Sequence, residues 1–176
     1  MGVLMGSGGI SDKLLNLADA CVGWMTGGLA MVNIVASYFF GGISGSAAAD
    51  TASLGSLEIP MMTDRGYDVD FSTAVTISSS VEGMLVPPSH NMVIYATMAG
   101  GLSVGSLFLA GYIPGAVLAG SLMIMSYVLS KKRHYPKGSA FSLKRLWNEA
   151  KTSLWALSAI LIVVVGVVAG VFTATE

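Results

Sequence analysis

The feature that most constrains this chain is a polar, glycine-rich segment set inside an apolar stretch. Residues 39–50 read FFGGISGSAAAD and lie between apolar arms at residues 27–40 and 47–62. At membrane depth, lipid cannot satisfy the backbone groups and hydroxyls of such a segment, so either protein must bury it or it must line a watery cavity. In membrane proteins a polar segment of this kind usually marks a substrate or ion site.

Composition places the chain in a lipid bilayer. Hydrophobic residues make up 53% of the 176 residues and charged residues only 11%, whereas soluble domains carry roughly 25% charged residues. A soluble binding module is therefore excluded, and we expect an all-α polytopic membrane protein. The basic run at residues 131–137 is explained as a topology signal and a lipid-headgroup contact, and no nucleic-acid partner is expected. The single Cys21 cannot form an internal disulfide.

The two arms are too short to cross a membrane separately. Each has about 14–16 residues, and a transmembrane helix needs about 20. Two short arms joined by a glycine- and serine-rich tip predict a re-entrant helical hairpin over residues 27–62. A single helix through the whole segment is the alternative, but its glycines disfavour it. An amphipathic helix is expected just before, at residues 11–23, with Ser11 and Asp12 suited to the N-cap.

The remaining apolar stretches predict three further membrane helices. Residues 71–100 contain Pro87-Pro88, which removes backbone donors, and therefore predict a proline-broken transmembrane helix. Transmembrane helices are also expected at residues 104–130 and 152–172. Between them, residues 131–151 hold seven of the nine Lys and Arg residues, which predicts a cytoplasmic basic loop by the positive-inside rule.

Counting crossings back from that basic loop gives the orientation of the first half. The turn at residues 100–103 is then outside, the polar loop at residues 64–70 is inside, and the hairpin enters from the cytoplasmic face. One hairpin and one broken helix form half of an inverted-repeat transporter, in which a second copy completes the site. We therefore expect residues 1–176 to be a single membrane region and a fragment of a longer protein.

The hairpin tip carries the first set of candidate binding residues. Ser44, Gly45 and Ser46 offer hydroxyl and carbonyl oxygens, which are the ligands that a small cation such as Na⁺ needs. A hairpin tip also brings a helix C-terminus, which favours a cation, close to a helix N-terminus, which favours an anion. Asp50 can cap the second arm, stabilise a cation or take part in coupling. The alternative is structural: small residues permit close helix packing, and Asp50 is then only a cap.

The broken helix carries the second set. The prolines leave carbonyl groups free, and the residues after them add hydroxyl, imidazole and amide groups. Glu82 is an acid inside an apolar run, where it is costly unless it is paired or close to water. Its alternative role is to face a partner segment or the interface, and a lone histidine is often only a packing residue. The candidates here are Pro87, Pro88, Ser89, His90 and Asn91, with Glu82 as a coupling or pocket acid.

Two other functions are alternatives. Residues 42–45, GISG, match the G-x-S-G pattern of rhomboid intramembrane proteases, and His90 follows, so Ser44 and His90 could form a nucleophilic dyad. Short glycine and serine patterns recur by chance in glycine-rich membrane proteins, so we expect no enzyme and no catalytic residue. A passive channel is the other alternative.

The longer motifs carry a resemblance to a known family. The segment GGISGSAAADTASLG at residues 41–55 resembles the large membrane subunit of TRAP transporters, the DctM-like family. The match continues in order through Ile59-Pro60-Met61, Gly66-Tyr67, Pro87-Pro88-Ser89, Ile94-Tyr95, residues 107–111 with Pro114-Gly115, and residues 170–173 with Glu176. It covers essentially the whole chain and corresponds to the N-terminal half of the family subunit.

The resemblance implies a Na⁺-coupled, elevator-type importer of organic acids in a bacterial inner membrane. Such a subunit works with a small membrane subunit and a periplasmic substrate-binding protein, with Na⁺ as the coupling ion and no other cofactor. Carried over by position, Ser44, Gly45 and Ser46 would bind Na⁺ and face substrate. Pro87-Pro88-Ser89 would supply complementary ligands.

The chain departs from many relatives around the double proline, with VEG at residues 81–83 and HNM at residues 90–92. These positions lie where a substrate pocket is expected, so C4-dicarboxylates, sialic acid and sugar acids all stay open as substrates. Another Na⁺-coupled carboxylate or ion transporter with the same plan is the alternative within transport.

Overall fold

The computed structural model describes residues 10–138, 140–169 and 171. Throughout these ranges the regular secondary structure is helical, with no strand, so the predicted all-α class is confirmed. The helices in the described ranges are α1 (Ile10–Val22), α2 (Gly28–Ser44), α3 (Ala47–Asp64), α4 (Val69–Ser80), α5 (Glu82–Leu85), α6 (His90–Met98), α7 (Val104–Lys132), α8 (Leu143–Thr152) and α9 (Leu154–Val168).

α2 and α3 are joined by only two residues, and together they are called the hairpin below. Gly45 ends α2 with φ 61°, a left-handed conformation that glycine adopts without strain. Ser46 then caps α3, where its hydroxyl accepts from Ala49 N at 3.5 Å. The alternative of one continuous helix is therefore wrong.

The tip is shorter than the sequence predicted. The sequence pattern places Gly41 and Gly42 in the tip, but both lie inside α2, where Gly45 N donates to Gly41 O at 3.0 Å and closes the last turn. The physical reason is packing: a Cβ on Gly41 would lie 2.7 Å from Gly83 Cα. Glycine at position 41 allows two backbones to touch and does not break the helix.

α1 covers one side of the hairpin. Leu14 packs with Phe40 of α2 and Leu54 of α3 in one buried cluster. Because α1 begins at Ile10, Ser11 and Asp12 lie inside its first turn and not at the predicted N-cap. An acidic residue in a first turn is still favourable, since it faces the positive end of the helix dipole.

The proline-broken region has one more interruption than the sequence predicted. α4 ends at Ser80, the four-residue α5 follows, and residues 86–89 leave the helical conformation before α6 begins. The Pro87-Pro88 peptide bond is cis. The unpredicted interruption at Val81 lies two residues before Gly83, at the point where the broken helix crosses the backbone of α2.

By length and composition, α7 is the helix in the described ranges that could cross a membrane. It has 29 residues, and its apolar window is only 17% buried, so most of that window faces outward, where a bilayer can cover it. α2 is apolar but shorter, at 17 residues, and α9 has 15. Most of the motif at residues 170–173, together with Glu176, lies outside the described residues.

Polar and aromatic side chains join the loop before α4 to the end of α7. Arg133 Nη1 donates to Asp68 Oδ2 at 2.5 Å, and Tyr135 Oη donates to the same oxygen at 2.7 Å. The ring of Tyr135 lies 4.4 Å from that of Tyr67 and 5.1 Å from that of Phe71, centroid to centroid. These contacts hold the loop before α4 and the first turn of α4 against the end of α7.

We expect this contact to make the stability of the folded state depend on pH under acidic conditions. The hydrogen bond from Tyr135, and after it the one from Arg133, hold the pKa of Asp68 below its usual range. A carboxylate with a lowered pKa stabilises the folded state above its unfolded pKa, and the effect is lost as pH falls through its folded pKa. Wild type should therefore exceed Asp68→Asn in melting temperature at neutral pH, and the gap should close below about pH 4.

Thermal unfolding in detergent at a series of pH values checks this expectation. Asp70→Asn is the matched control, because Asp70 is an exposed carboxylate two residues further on. A gap of the same size at every pH would show that Asp68 acts through packing and not through its charge.

Candidate functional site

The hairpin tip lies directly on the proline break. A Cβ on Gly45 would lie 2.7 Å from Pro88 O and 3.4 Å from His90 N. His90 Nδ1 lies 3.4 Å from Gly45 O. Two segments more than 40 residues apart in sequence, each singled out for its polar groups, are thus brought together at one contact.

The tip is held in shape by its own side chains. The Ser44 hydroxyl donates to Asp50 Oδ1 across the turn, and Ser46 N donates to Ser44 Oγ at 3.3 Å. Asp50 is fully buried, and its Oδ2 has no hydrogen-bond partner among the described residues. One oxygen of this carboxyl group therefore fixes the turn and the other is left without compensation.

A second buried acid lies behind the same contact. A Cβ on Gly83 would lie 2.2 Å from Asp50 Oδ2, so the carboxyl group of Asp50 is packed against the broken helix. Glu82, the residue before Gly83, is also fully buried, and both of its carboxyl oxygens lack partners within the described part of the chain. Buried carboxylates without partners are costly, so this contact calls for a cation, a proton or a further protein group.

The residues of the break differ in how they are placed. Ser89 is buried and donates to Met84 O at 2.7 Å, so its hydroxyl hydrogen stabilises the break itself. Pro87 is buried, whereas His90 and Asn91 begin α6 with exposed side chains beside the tip. His90 and Asn91 are therefore the break residues that a ligand can reach directly.

Helix ends converge on this contact. Ser46 and Ser89 are the N-cap residues of α3 and α6, and α2 ends at Ser44. Amides at two helix N-termini favour an anion, and carbonyls at a helix C-terminus favour a cation. Helix ends suited to both kinds of ion therefore lie within a few residues of each other.

Oxygen atoms of hydroxyl, carbonyl and paired carboxyl groups are the available ligands. No group of three or more His, Cys, Asp or Glu side chains that could hold a metal ion occurs among the residues that the structure describes. The set fits a hard monovalent cation better than a transition metal, which prefers nitrogen and sulfur ligands.

The geometry does not form the alternative serine–histidine dyad. The Ser44 hydroxyl donates to Asp50, and His90 Nδ1 is directed to a backbone carbonyl of the tip. The arrangement here is a polar contact between the hairpin tip and the proline break.

Sequence reasoning missed two features of this region. Gly83 was only named as a neighbour of the break, although its contact with Gly41 sets the distance between the hairpin and the broken helix. Buried polar residues on α2 and α4, with Glu58 on α3, were not singled out. The signal was present, because Asn33 and the segment TISSS at residues 76–80 interrupt otherwise apolar runs.

Comparison with known proteins identifies relatives along the whole chain. The family model described as "Tripartite ATP-independent periplasmic transporter, DctM component" matches residues 1–176. The sialic acid TRAP transporter permease protein SiaT of Haemophilus influenzae is 43% identical over 99% of this chain and 28% of its own length. The isethionate TRAP transporter permease protein DctMQ of Oleidesulfovibrio alaskensis is 42% identical, with the same coverage.

A third relative carries a different substrate in its name. The C4-dicarboxylate TRAP transporter large permease protein DctM of Rhodobacter capsulatus is 35% identical over 96% of this chain and 41% of its own length. The chain thus spans less than half the length of each of these three relatives. All three are named as transporter permeases and not as enzymes.

Proposed function

The chain belongs to the DctM family of tripartite ATP-independent periplasmic transporters, and we propose that it forms part of the large membrane subunit of a Na⁺-coupled importer of organic acids. The observation that carries the proposal is the contact of the hairpin tip with the proline break. Two buried carboxyl groups, Asp50 and Glu82, meet there with unpartnered oxygens.

Na⁺ is the proposed ligand on the hairpin side. Ser44, Gly45 and Ser46 supply oxygens at the end of α2, and Asp50 supplies the charge that makes a cation favourable in a buried site. Because Asp50 Oδ1 already accepts from Ser44, Asp50 is pre-oriented toward the tip. Binding Na⁺ would offset the cost of the unpartnered oxygen.

The proposed substrate is an organic acid held at the break. The N-termini of α3 and α6 present amides suited to a carboxylate. His90 and Asn91 are exposed beside them, where they can contact the rest of the bound organic acid. Sialic acid, C4-dicarboxylates and isethionate appear in the names of relatives. The class proposed here is an organic acid such as sialic acid, a C4-dicarboxylate or a sugar acid.

We further propose a multi-pass location in a bacterial inner membrane. The hairpin is then re-entrant from the cytoplasmic side, residues 131–151 form a cytoplasmic loop, and a second, inverted set of elements completes the site in an elevator-type mechanism. The proposed partners are a small membrane subunit and a periplasmic substrate-binding protein. The membrane potential then contributes about 2.3 kcal/mol per net charge per 100 mV.

Uptake into proteoliposomes tests the proposal. The complete permease that contains this chain is reconstituted with its small subunit and binding protein, and labelled organic acids are offered with and without an inward Na⁺ gradient. We expect accumulation that requires both Na⁺ and the binding protein. Accumulation that does not depend on the binding protein would indicate a stand-alone transporter. Accumulation without Na⁺ would show that Na⁺ is not the coupling ion.

A further inference from the structure

Glu58 is a third buried acid, and the proposed function makes no use of it. It lies in the interior of α3, two turns after Asp50, and its side chain is only 1% exposed. Both carboxyl oxygens are buried without a hydrogen-bond partner in the described ranges. Such a group needs a ligand or a neutral form, because an uncompensated buried charge is strongly unfavourable.

A chain of buried hydrogen bonds connects α2 with α4 and is called the polar seam below. Asn33 Nδ2 donates to Thr76 Oγ1 at 2.7 Å, and Ser79 Oγ donates to Asn33 Oδ1 at 2.9 Å. Ser37 Oγ donates to Ser79 Oγ at 2.9 Å. All four of these side chains are fully buried. The seam is therefore an internal polar contact, closed to solvent.

The residues around Glu58 on α3 place it beside this seam. Gly55 and Met62 lie three residues before and four residues after it, on the same helix face. A Cβ on Gly55 would lie 3.3 Å from the Thr76 methyl group, and Met62 Sδ lies 3.8 Å from Asn33 Nδ2. Glu58 therefore lies on the face of α3 that packs at the junction of α2, α3 and α4.

No positive side chain faces this junction from the helices packed around it. α2, α3, α4 and α5 contain no Lys, Arg or His. Their ionisable residues besides Glu58 are Tyr38 on α2, Asp50 and Asp64 on α3, Asp70 on α4 and Glu82 on α5. α1, which reaches the same core through Leu14, carries Cys21, Asp12 and Lys13, of which the last two are exposed, and Asp19, which is bonded to Arg145.

We propose that Glu58 is a proton-binding site of the hairpin, neutral in this arrangement and placed beside the polar seam. A neutral carboxyl group avoids the cost of an uncompensated charge at a buried position where neither oxygen has a hydrogen-bond partner among the described residues. The proton is then a ligand bound at a place separate from the tip, where Na⁺ is proposed to bind. Loss of this proton would leave a negative charge between α2, α3 and α4 and would weaken the packing of α3 against α4.

Infrared spectroscopy of the complete permease tests this directly. With carbon-13 glutamate incorporated, protonated glutamic acids are distinguished from aspartic acids by the shifted carbonyl stretch of the neutral carboxyl group. At neutral pH we expect a labelled protonated band that loses intensity in Glu58→Gln. The same change at the partly exposed Glu149 on α8 is the matched control and should leave the band unaltered. Glu82→Gln identifies any separate contribution from Glu82.

The outcomes separate cleanly. An unchanged band in Glu58→Gln would overturn the proposal, as would the absence of a protonated band from wild type. Loss of the Glu58 component on adding Na⁺ would overturn it too, because the site would then bind Na⁺ in place of a proton. Should Glu58→Gln not fold, Glu58→Leu removes the same component with an apolar side chain of similar size.

The inference rests on the proposed function only in placing the hairpin inside a membrane protein. The infrared measurement needs no substrate, Na⁺ gradient or binding protein. Absence of organic-acid uptake together with a Glu58-dependent band would contradict the proposed function and leave the proton site standing.

Discussion

Replacing Gly41 by alanine is expected to separate the hairpin from the broken helix and to abolish transport by the complete permease. The new Cβ would lie 2.7 Å from Gly83 Cα and 3.0 Å from Gly83 N. Both are backbone atoms, which cannot rotate away as a flexible side chain can. Overpacking of this kind costs about 1–3 kcal/mol, and here the strain falls on the contact that brings Asp50 to Gly83.

Thermal unfolding in detergent, together with uptake, checks this expectation. Gly120→Ala is the matched control, because Gly120 lies inside α7 with no atom within 4 Å of its Cβ position. That control should be neutral or more stable by up to about 1 kcal/mol, since alanine favours helix. Equal melting temperatures for Gly41→Ala and wild type would show that the backbones of α2 and α5 can separate freely.

Gly41 also shows where sequence reasoning reaches its limit. Glycine signals both chain reversal and close helix packing, and the local sequence around residues 41–46 does not distinguish the two. The structure uses Gly45 for the reversal and Gly41 for the packing. The difference depends on Gly83, which is 42 positions away, so no local pattern could supply it.

The broken helix was easier to predict because proline acts locally. Pro87-Pro88 removes backbone donors whatever surrounds them, and residues 86–89 do leave the helix. The interruption at Val81 was not predicted, since it carries no proline or glycine and lies at a tertiary crossing. The link between Asp68 and Arg133 was likewise hidden, because it joins residues 65 positions apart.

The buried acids also differ in how much of their placement the sequence could predict. Asp50 and Glu82 were singled out individually because an acid in an apolar run is conspicuous. That both lie at one contact follows only from the crossing of the hairpin and the broken helix. Glu58 could not be singled out from the sequence, because it is close to Pro60 and the polar loop, where an acid is expected, and only its burial marks it.

Asp50→Asn is expected to cause the largest loss of function of any single change that preserves shape. Asparagine keeps an oxygen to accept from Ser44, but it removes the charge and puts an amide group in place of Oδ2. If Asp50 holds Na⁺, the loss of one charged ligand should lower apparent Na⁺ affinity on the order of 100-fold, or about 2.7 kcal/mol. Uptake at limiting Na⁺ should fall accordingly.

A binding measurement separates this effect from a folding defect. Na⁺ bound only by the folded state raises stability as its concentration rises above its dissociation constant. The melting temperature of wild type should therefore increase with Na⁺ and that of Asp50→Asn should not, while Asp70→Asn, at an exposed position, behaves as wild type. A wild-type increase in melting temperature with Na⁺ in Asp50→Asn would show that Asp50 does not bind the ion.

Ser46→Ala provides a reference for the size of the effect expected in Asp50→Asn. The Ser46 hydroxyl accepts from Ala49 N at a long 3.5 Å, so its removal should cost about 1 kcal/mol or less as a cap. If Ser46 also binds Na⁺, its alanine variant should lose part of the Na⁺ response while Asp50→Asn loses nearly all of it. A charged ligand and a neutral one differ in this way because only the carboxylate balances the charge of the ion in a buried site. The variant that loses more of the Na⁺-dependent increase in melting temperature therefore identifies the group at the tip that contributes most of the electrostatic free energy of cation binding.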